Sequence, residues 1–409
     1  MSGPQPFIYY VCGGRSFYEA NPGRKIFEVV RCWRELGFEV EHICGGDLRD
    51  HNPHGDGSTP ATAVTSHPGR SRLKSLLPAL SHSISEYRDI AHDRRVRERL
   101  DQLSTNRKPA LVWERSSRLH SAGLQHARDI DVPFVLEWKD HLVDYRRSLF
   151  RDRALKMETR KNMEADWVVV ESDVLRQQLG EQGVDRDKIK VAHNAIDPDT
   201  FKPDARLRKQ KRHDLGVDDE SILVGYLGSY AFYHNADLMI RAADLVKHPG
   251  IRIVMIGDGL ELKDCQELAT RTGVLNRNVQ MLPRISMSEV PGVLAALDVA
   301  VLPGSTDIIC PIKIQEYMAS KTVTVAPDYA CNREVIPDER YGILFEPHNA
   351  GALAQVFDDL AVDRQKREAM ATAGRDRIVQ NFTWQQTWGR VLQEIITGLP
   401  HATTNRNLI

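Results

Sequence analysis

The sequence predicts an α/β chain built as two doubly wound units, each a parallel sheet wrapped by helices. Three observations carry this. The length of 409 residues exceeds one ordinary core, so two domains of roughly 200 residues each are the default. Short apolar runs alternate with helix-like stretches along both halves, the pattern of parallel strands joined by helical crossovers. In the second half two of those runs, ILVGYLGS (Ile222 to Ser229) and IRIVMIGDG (Ile251 to Gly259), end in glycine, where an open parallel sheet presents its loops.

The first half supplies FIYYVC (7 to 12), FEVEHIC (38 to 44), ALVWE (110 to 114), PFVLE (133 to 137) and WVVVE (167 to 171) as strands. Between the first two, Ile26, Val29, Val30, Trp33 and Leu36 recur close to helical period, and Gly37 stops the helix. Residues 47 to 74, rich in Pro, Gly, His, Ser and Asn, break the rhythm and read as a mobile surface loop. A charged helix follows over 81 to 103. Its Arg94, Arg95, Arg97 and Arg99 interleave with Asp89, Asp93, Glu98 and Asp101, which favours a solvated face over an anion-binding stripe.

The strand-like KIKVAHN gives way to Asp and Pro turn signals near residue 195, where the sequence places the domain boundary. From Ile222 strand, loop and helix then resume through 253 to 256, 279 to 282, 299 to 302, 322 to 326 and 343 to 345. A last helix over roughly 384 to 397 carries Trp388, Val391, Leu392, Ile395 and Ile396 at helical spacing and is long enough to return to the first domain. The residues beyond read as a frayed polar tail.

Composition excludes several classes. Lys plus Arg is 55 and Asp plus Glu is 56, a formal net charge of -1, so no global field draws the chain to nucleic acid or a bilayer. The six cysteines show neither zinc-like spacing nor a disulfide framework and read as free thiols in a reducing compartment. No apolar run approaches the roughly 20 residues of a membrane span and no secretory leader opens the chain, so a soluble cytoplasmic protein is expected, with any membrane contact peripheral.

Local chemistry therefore has to define the partner. Gly225 with Gly228, and Gly257 with Gly259, flank two strand ends; lacking Cβ, they let backbone approach a phosphate, although each pair alone also fits a tight turn. Downstream, PIKIQEYMA (Pro311 to Ala319) places Glu316 in the opening part of a predicted helix, where backbone N–H groups and the helix dipole favour an anion. No GxSxG, HExxH or paired-carboxylate motif points to a protein nucleophile or a bound metal. Asp129-x-Asp131 and Asp197-x-Asp199 look like metal-binding acidic pairs, but Asp197 belongs to a turn.

Taken jointly, HNAIDPDTF (193 to 201), VGYLGSYAFYHNADLMIRA (224 to 242), VMIGDG (254 to 259), LDVAVLPGS (297 to 305), PIKIQEYMASKTVTVAPD (311 to 328), REVI (333 to 336), GILFEP (342 to 347) and NFTW (381 to 384) resemble the retaining glycosyltransferases of family 4. The resemblance spans nearly the whole chain. It implies the GT-B architecture of two facing Rossmann-like domains: residues 1–195 on the acceptor side, 196–384 on the donor side, and about 385–409 crossing back to the first. It assigns the ribose hydroxyls of a nucleotide to Glu316, the diphosphate to the loop at Gly228 and to backbone at Pro311, Ile312 and Lys313, and the base to the backbone of Pro283, Arg284 and Ile285. Gly257 and Gly259 border the same donor, and Gly23 and Arg24 border the acceptor and phosphates.

The departures from the family are as informative. Where relatives carry an Arg and then a Lys as counter-charges for the diphosphate, this chain has Ser229 and His234. Tyr233 with His234 is similar to a variant of the family, which casts His234 as a hydrogen-bond donor to phosphate and Lys313 as the permanent charge. The upstream Glu that usually meets the donor sugar is replaced by Ile308, with Asp307 the adjacent candidate. The first-domain His near the reacting carbon aligns with Lys139, followed by Asp140 and His141; Lys139 is suited to stabilising charge and is a poor base unless burial lowers its pKa. Glu114 and Arg115 end a neighbouring strand and either line the acceptor side or form an internal ion pair.

The resemblance implies sugar transfer from a UDP- or GDP-linked donor to an acceptor nucleophile with retention, through orientation and charge stabilisation. It calls for no metal and no cofactor beyond the nucleotide sugar itself. A small soluble acceptor is expected, such as a metabolite or antibiotic precursor; polysaccharide or lipid-linked acceptors are the variant. A catalytically degenerate binding or scaffold subunit is the rival from another class, and a GT-B nucleotide-sugar epimerase a third.

Overall fold

A computed structural model describes residues 6–14, 17, 23–49, 78–139 and 149–399, with backbone alone for Gly23, Arg24 and 78–85. Most of the loop expected over 47 to 74, the tail beyond 399, and the candidates Asp140 and His141 lie outside the described residues. The described chain divides into two compact units: one holds the residues up to Glu171, Leu175–Ala192 and those from Trp388, and the other holds Ser172–Val174 and His193–Thr387.

The first unit opens with β1 (Phe7–Cys12), α1 (Gly23–Glu35) and β2 (Glu39–Cys44). Then come α2 (Pro78–Ser104), β3 (Leu111–Arg115), α3 (Ala122–Asp129), β4 (Phe134–Glu137), α4 (Arg151–Glu164), β5 (Trp167–Val170), α5 (Asp173–Glu181) and β6 (Ile189–Val191). Its six parallel strands run in the order β2-β1-β3-β4-β5-β6. Near-continuous apolar runs suit strands covered on both faces, and β3 and β4 are buried along their whole length.

The arginine-rich face of α2 is a salt-bridged surface: Arg94 pairs with Glu98, and Arg97 with Asp101 and Asp129. The last helix returns to this unit, but not as one regular element. A π-helical turn over Gln385–Gly389 precedes α14 (Arg390–Thr397), whose Val391, Leu392 and Ile395 are buried. The turn sets Trp388 in an aromatic cluster with Trp33 and Trp113, and the Trp33 indole N–H donates to the Trp388 carbonyl at 3.1 Å.

The second unit begins with α6 (Ala205–Asp214), β7 (Ile222–Leu227), α7 (Ala236–Leu245), β8 (Ile251–Ile256), α8 (Leu262–Arg271) and β9 (Val279–Leu282). It continues through α9 (Val290–Ala296), β10 (Val299–Val301), α10 (Ile312–Ala319), β11 (Val323–Pro327), α11 (Ala330–Arg333), β12 (Ile343–Phe345), α12 (Ala350–Val362) and α13 (Arg364–Asn381). All six strands are parallel in the order β12-β11-β10-β7-β8-β9, a doubly wound sheet whose order reverses about β7 and β10. No helix among the described residues is long and apolar enough to cross a membrane.

Candidate functional site

In the second unit the loops after β7, β8, β9 and β10 all leave the carboxyl edge of the sheet. The loop after β7 rises through Gly228 and Ser229 to a 3-10 turn over Phe232–His234. Asn235 then takes a left-handed conformation (φ 48°) before α7, a geometry Asn tolerates better than most residues. This turn buries His234, whose ring N–H (Nδ1) reaches the Gly304 carbonyl at 3.4 Å in the loop after β10. A side chain on Gly304 would strike Asn235, so a glycine is what lets the two loops meet.

Burial, and then the nearby Lys313 ammonium, lower the His234 pKa to about 4, so the imidazole is neutral at pH 7. With Nδ1 turned to a carbonyl, Nε2 is the nitrogen left for a ligand. Lys313 stands in the first turn of α10; burial lowers its pKa while Glu316, one turn further on, holds it up. Glu316 is therefore the fifth residue of the helix and is buried. His234, Lys313 and Glu316 come together although 82 residues separate the first from the last.

The four glycines do different work. Gly225 lies inside β7, where a Cβ would sit 2.4 Å from the Leu297 side chain, so it serves packing. At Gly257 a Cβ would fall 1.8 Å from the Gly228 carbonyl, and at Gly259 it would meet Tyr230 backbone at 2.6 Å. These two make room for the loop after β7, which they hold against the loop after β8. Ser229 is exposed and its carbonyl accepts from the Tyr226 hydroxyl at 2.7 Å, so it supplies no charge. Tyr233, half exposed, tilts over the His234 ring. In the loop after β9, Pro283 and Arg284 are exposed and Ile285 packs on the core. Asp307 is exposed in the loop after β10, where its carboxylate adds to burial in raising the Tyr329 phenol.

The acidic pairs are structural. Asp197 accepts from the Asp199 amide and the Thr200 hydroxyl, each at 3.0 Å, closing its turn, while Asp129 pairs with Arg97. Among the described residues, Asp173, His193 and Glu334 approach one another closely enough to hold an ion. Glu334, however, already accepts from the Asp173 amide at 3.0 Å and from His193 Nε2 at 2.7 Å, so its lone pairs are engaged within the second unit.

The first unit holds a cluster that motif reading did not reveal as a group. Strand register sets Cys12, Arg115 and Glu137 side by side at the carboxyl ends of β1, β3 and β4. Glu137 takes the Arg115 guanidinium and the Tyr10 hydroxyl, each at 2.8 Å. Glu171, just past β5, accepts both Lys139 at 2.8 Å and Lys25 from the first turn of α1. Lys25 also lies 4.0 Å over the Trp388 ring. Despite burial, the surrounding cations hold both carboxylates below their ordinary range, Glu137 chiefly through Arg115 and Glu171 chiefly through Lys139. The sequence signal was the polar end of each strand run, ALVWER, PFVLE and WVVVE; Lys25 carried none. Glu114 turns instead to a buried pair with Lys161 at 2.8 Å and to the Gly123 amide. Gly23 and Arg24 begin α1.

Two family models match the chain: "Glycosyl transferase 4-like domain" over residues 22–195 and "Glycosyl transferases group 1" over 208–377. The chain belongs to the group 1, family-4-type glycosyltransferases. D-inositol 3-phosphate glycosyltransferases are among its relatives: that of Mycolicibacterium smegmatis is 28% identical over 230 residues, 55% of this chain and 51% of the relative. That of Stackebrandtia nassauensis is 25% identical over 239 residues, 54% and 53% of the two chains. The chain thus spans about half the length of these curated relatives.

Solved structures extend the likeness to the whole fold. A glycosyltransferase from Rickettsia africae superposes with a TM-score of 0.70 at 15% identity, covering 97% of this chain and all of the other. HepE of Anabaena in complex with UDP gives 0.69 at 16% identity, covering 96% and 100%. The fold is GT-B, with two Rossmann-like halves of six parallel strands.

Proposed function

We propose that this chain is a retaining glycosyltransferase that moves a sugar from a nucleoside diphosphate donor, UDP- or GDP-linked, to an acceptor nucleophile. The single observation that carries the reading is the meeting of His234, Lys313 and Glu316 at the carboxyl edge of the second sheet. A carboxylate there accepts from two vicinal ribose hydroxyls, the first turn of α10 offers N–H groups and a cation to the diphosphate, and the imidazole donates to the same anion once Nε2 takes up a proton. The presence of UDP in the HepE structure supports the donor class, with UDP the first choice.

In this reading Gly228 lets backbone approach the diphosphate, Ile312 and Lys313 present helix-start amides, and backbone at Pro283 to Ile285 lies along the base. Glu316 fixes the ribose. His234 is the hydrogen-bond partner of a phosphate oxygen: binding of the anion favours a proton on Nε2, which opposes the depression of its pKa by burial. Lys313 supplies the charge that Arg supplies elsewhere in the family. The leaving phosphate takes the acceptor proton, so rate comes from orientation and from spreading the developing charge. Lys139, or its sequence neighbour Asp140, acts at the acceptor-side position where relatives carry His, and Asp307 substitutes for the missing sugar-contacting Glu. The acceptor is a small soluble metabolite.

Calorimetry with UDP and GDP, followed by turnover on a panel of nucleotide sugars, tests this. Saturable nucleotide binding with slow donor hydrolysis supports it; a folded chain showing neither binding nor turnover is instead a degenerate binding subunit. Ser229, Ile308 and Lys139, each at a place where relatives carry catalytic or contacting groups, favour that second reading.

A further inference from the structure

We propose that Lys25 and Lys139 form an oxyanion subsite on the first unit that holds a phosphate or carboxylate group of the acceptor. The proposal rests on the transferase reading for the word acceptor, and on the geometry of the cluster for the rest. Among the described residues, three cations (Lys25, Lys139, Arg115) meet two carboxylates (Glu137, Glu171), leaving one positive charge unbalanced in a largely desolvated place. The carboxylates lie beneath: the side chains of Glu137 and Glu171 are 0% and 3% exposed, whereas those of Lys25 and Lys139 are 13% and 21% exposed. Solvent therefore reaches the two lysine side chains more readily than the two carboxylates they bond. Both bond the same oxygen of Glu171, so their heads are close enough for one tetrahedral or planar oxyanion to bridge.

The first turn of α1, where Lys25 sits, carries no acidic residue, and the helix dipole adds partial positive charge there. From β1 come the Tyr10 hydroxyl, already donating to Glu137, and the buried Cys12 thiol; from β3 comes Arg115. Glu137 ends β4 and Lys139 follows two residues later, Glu171 follows β5, and the Trp388 ring lies against Lys25.

Burial pushes the Lys25 ammonium down to about 7, against the pull of Glu171 and with Lys139 adding repulsion. Without an anion the cluster sheds its surplus charge by releasing the Lys25 proton; with an anion bound it keeps that proton. Binding is thus linked to proton uptake, and affinity falls about tenfold for each pH unit above 7.

Sulfate, whose charge does not change over this range, is the probe. It is titrated calorimetrically into the full chain at several pH values and in two buffers of different ionisation enthalpy. The expected result is saturable binding with proton uptake near pH 7, a loss of at least about tenfold in Lys25→Met and in Lys139→Met, and retained but pH-independent binding in Lys25→Arg. Lys25→Met leaves two cations on two carboxylates, and its thermal unfolding confirms that the fold survives. UDP affinity should be the same in all four proteins. Absence of saturable sulfate binding, or equal binding in folded Lys25→Met, overturns the subsite. A parallel fall in UDP affinity overturns the acceptor assignment and makes the anion the donor diphosphate. If sulfate behaves as expected while wild-type protein binds no nucleotide, the transferase reading fails and the oxyanion subsite stands.

Discussion

Replacing Glu316 by Ala tests the nucleotide assignment most directly. The residue lies inside α10, buried, and its backbone carbonyl rather than its side chain accepts from the Ser320 amide and hydroxyl. The helix therefore keeps its hydrogen bonds, and Ala has the higher helix propensity. On the proposed reading, what disappears is the carboxylate that accepts from two ribose hydroxyls. Hydrogen bonds to a charged group contribute about 1.5 to 3 kcal/mol, and part of that is returned by water, so a net loss of about 2 kcal/mol is expected, roughly thirtyfold in Kd. Lys313 responds as well: without Glu316 its ammonium loses the interaction that holds its pKa up, and diphosphate affinity becomes more sensitive to alkaline pH. Calorimetric titration with UDP reads both effects. Wild-type affinity in a folded Glu316→Ala protein would refute the reasoning and remove the residue from the site.

Further outcomes are expected elsewhere. His234→Ala should slow transfer while the protein stays folded; wild-type kinetics would return the residue to a structural role. Because the folded imidazole titrates near 4 while an unfolded one titrates near 6.5, the unfolded chain binds more protons in between, so stability falls as pH drops from about 6.5 through 4. His234→Gln should flatten that part of the Tm profile, and an unchanged profile would place the acid sensitivity in another group. Gly257→Ala puts a Cβ against the Gly228 carbonyl and should displace the loop after β7, lowering Tm by an amount equivalent to about 1 to 3 kcal/mol and weakening UDP binding. Lys161→Met strands Glu114 in a buried place, at a cost of about 3 to 5 kcal/mol in denaturant titration; Glu114→Gln in the same chain should recover much of it.

Strands and their order of appearance were legible because period and length are local properties: FIYYVC, PFVLE and WVVVE read as buried strands and fold as β1, β4 and β5. The final helix was legible as an apolar stripe but not as a π turn joined to α14, since the widened turn answers to the packing of Trp388 on Trp33 and Trp113. The glycine signals were legible as loops while their purposes were not. Gly225 and Gly257 look alike in sequence, yet one accommodates a Leu side chain and the other a backbone carbonyl.

By itself the sequence determined the fold class, the family and the segment PIKIQEYMA as a helix start beside a parallel strand, because these depend on residue type at short spacing. Tertiary structure alone decided which distant groups share a charge environment. The parallel register set Arg115 beside Glu137, and crossovers brought Lys25 and Lys139 onto one oxygen of Glu171. In the second unit the left-handed Asn235 turned the neutral His234 toward the loop that carries Gly304. Electrostatics acts through space rather than along the chain, so the protonation of Lys25 and His234 became readable only once burial and neighbouring charges had been placed around them.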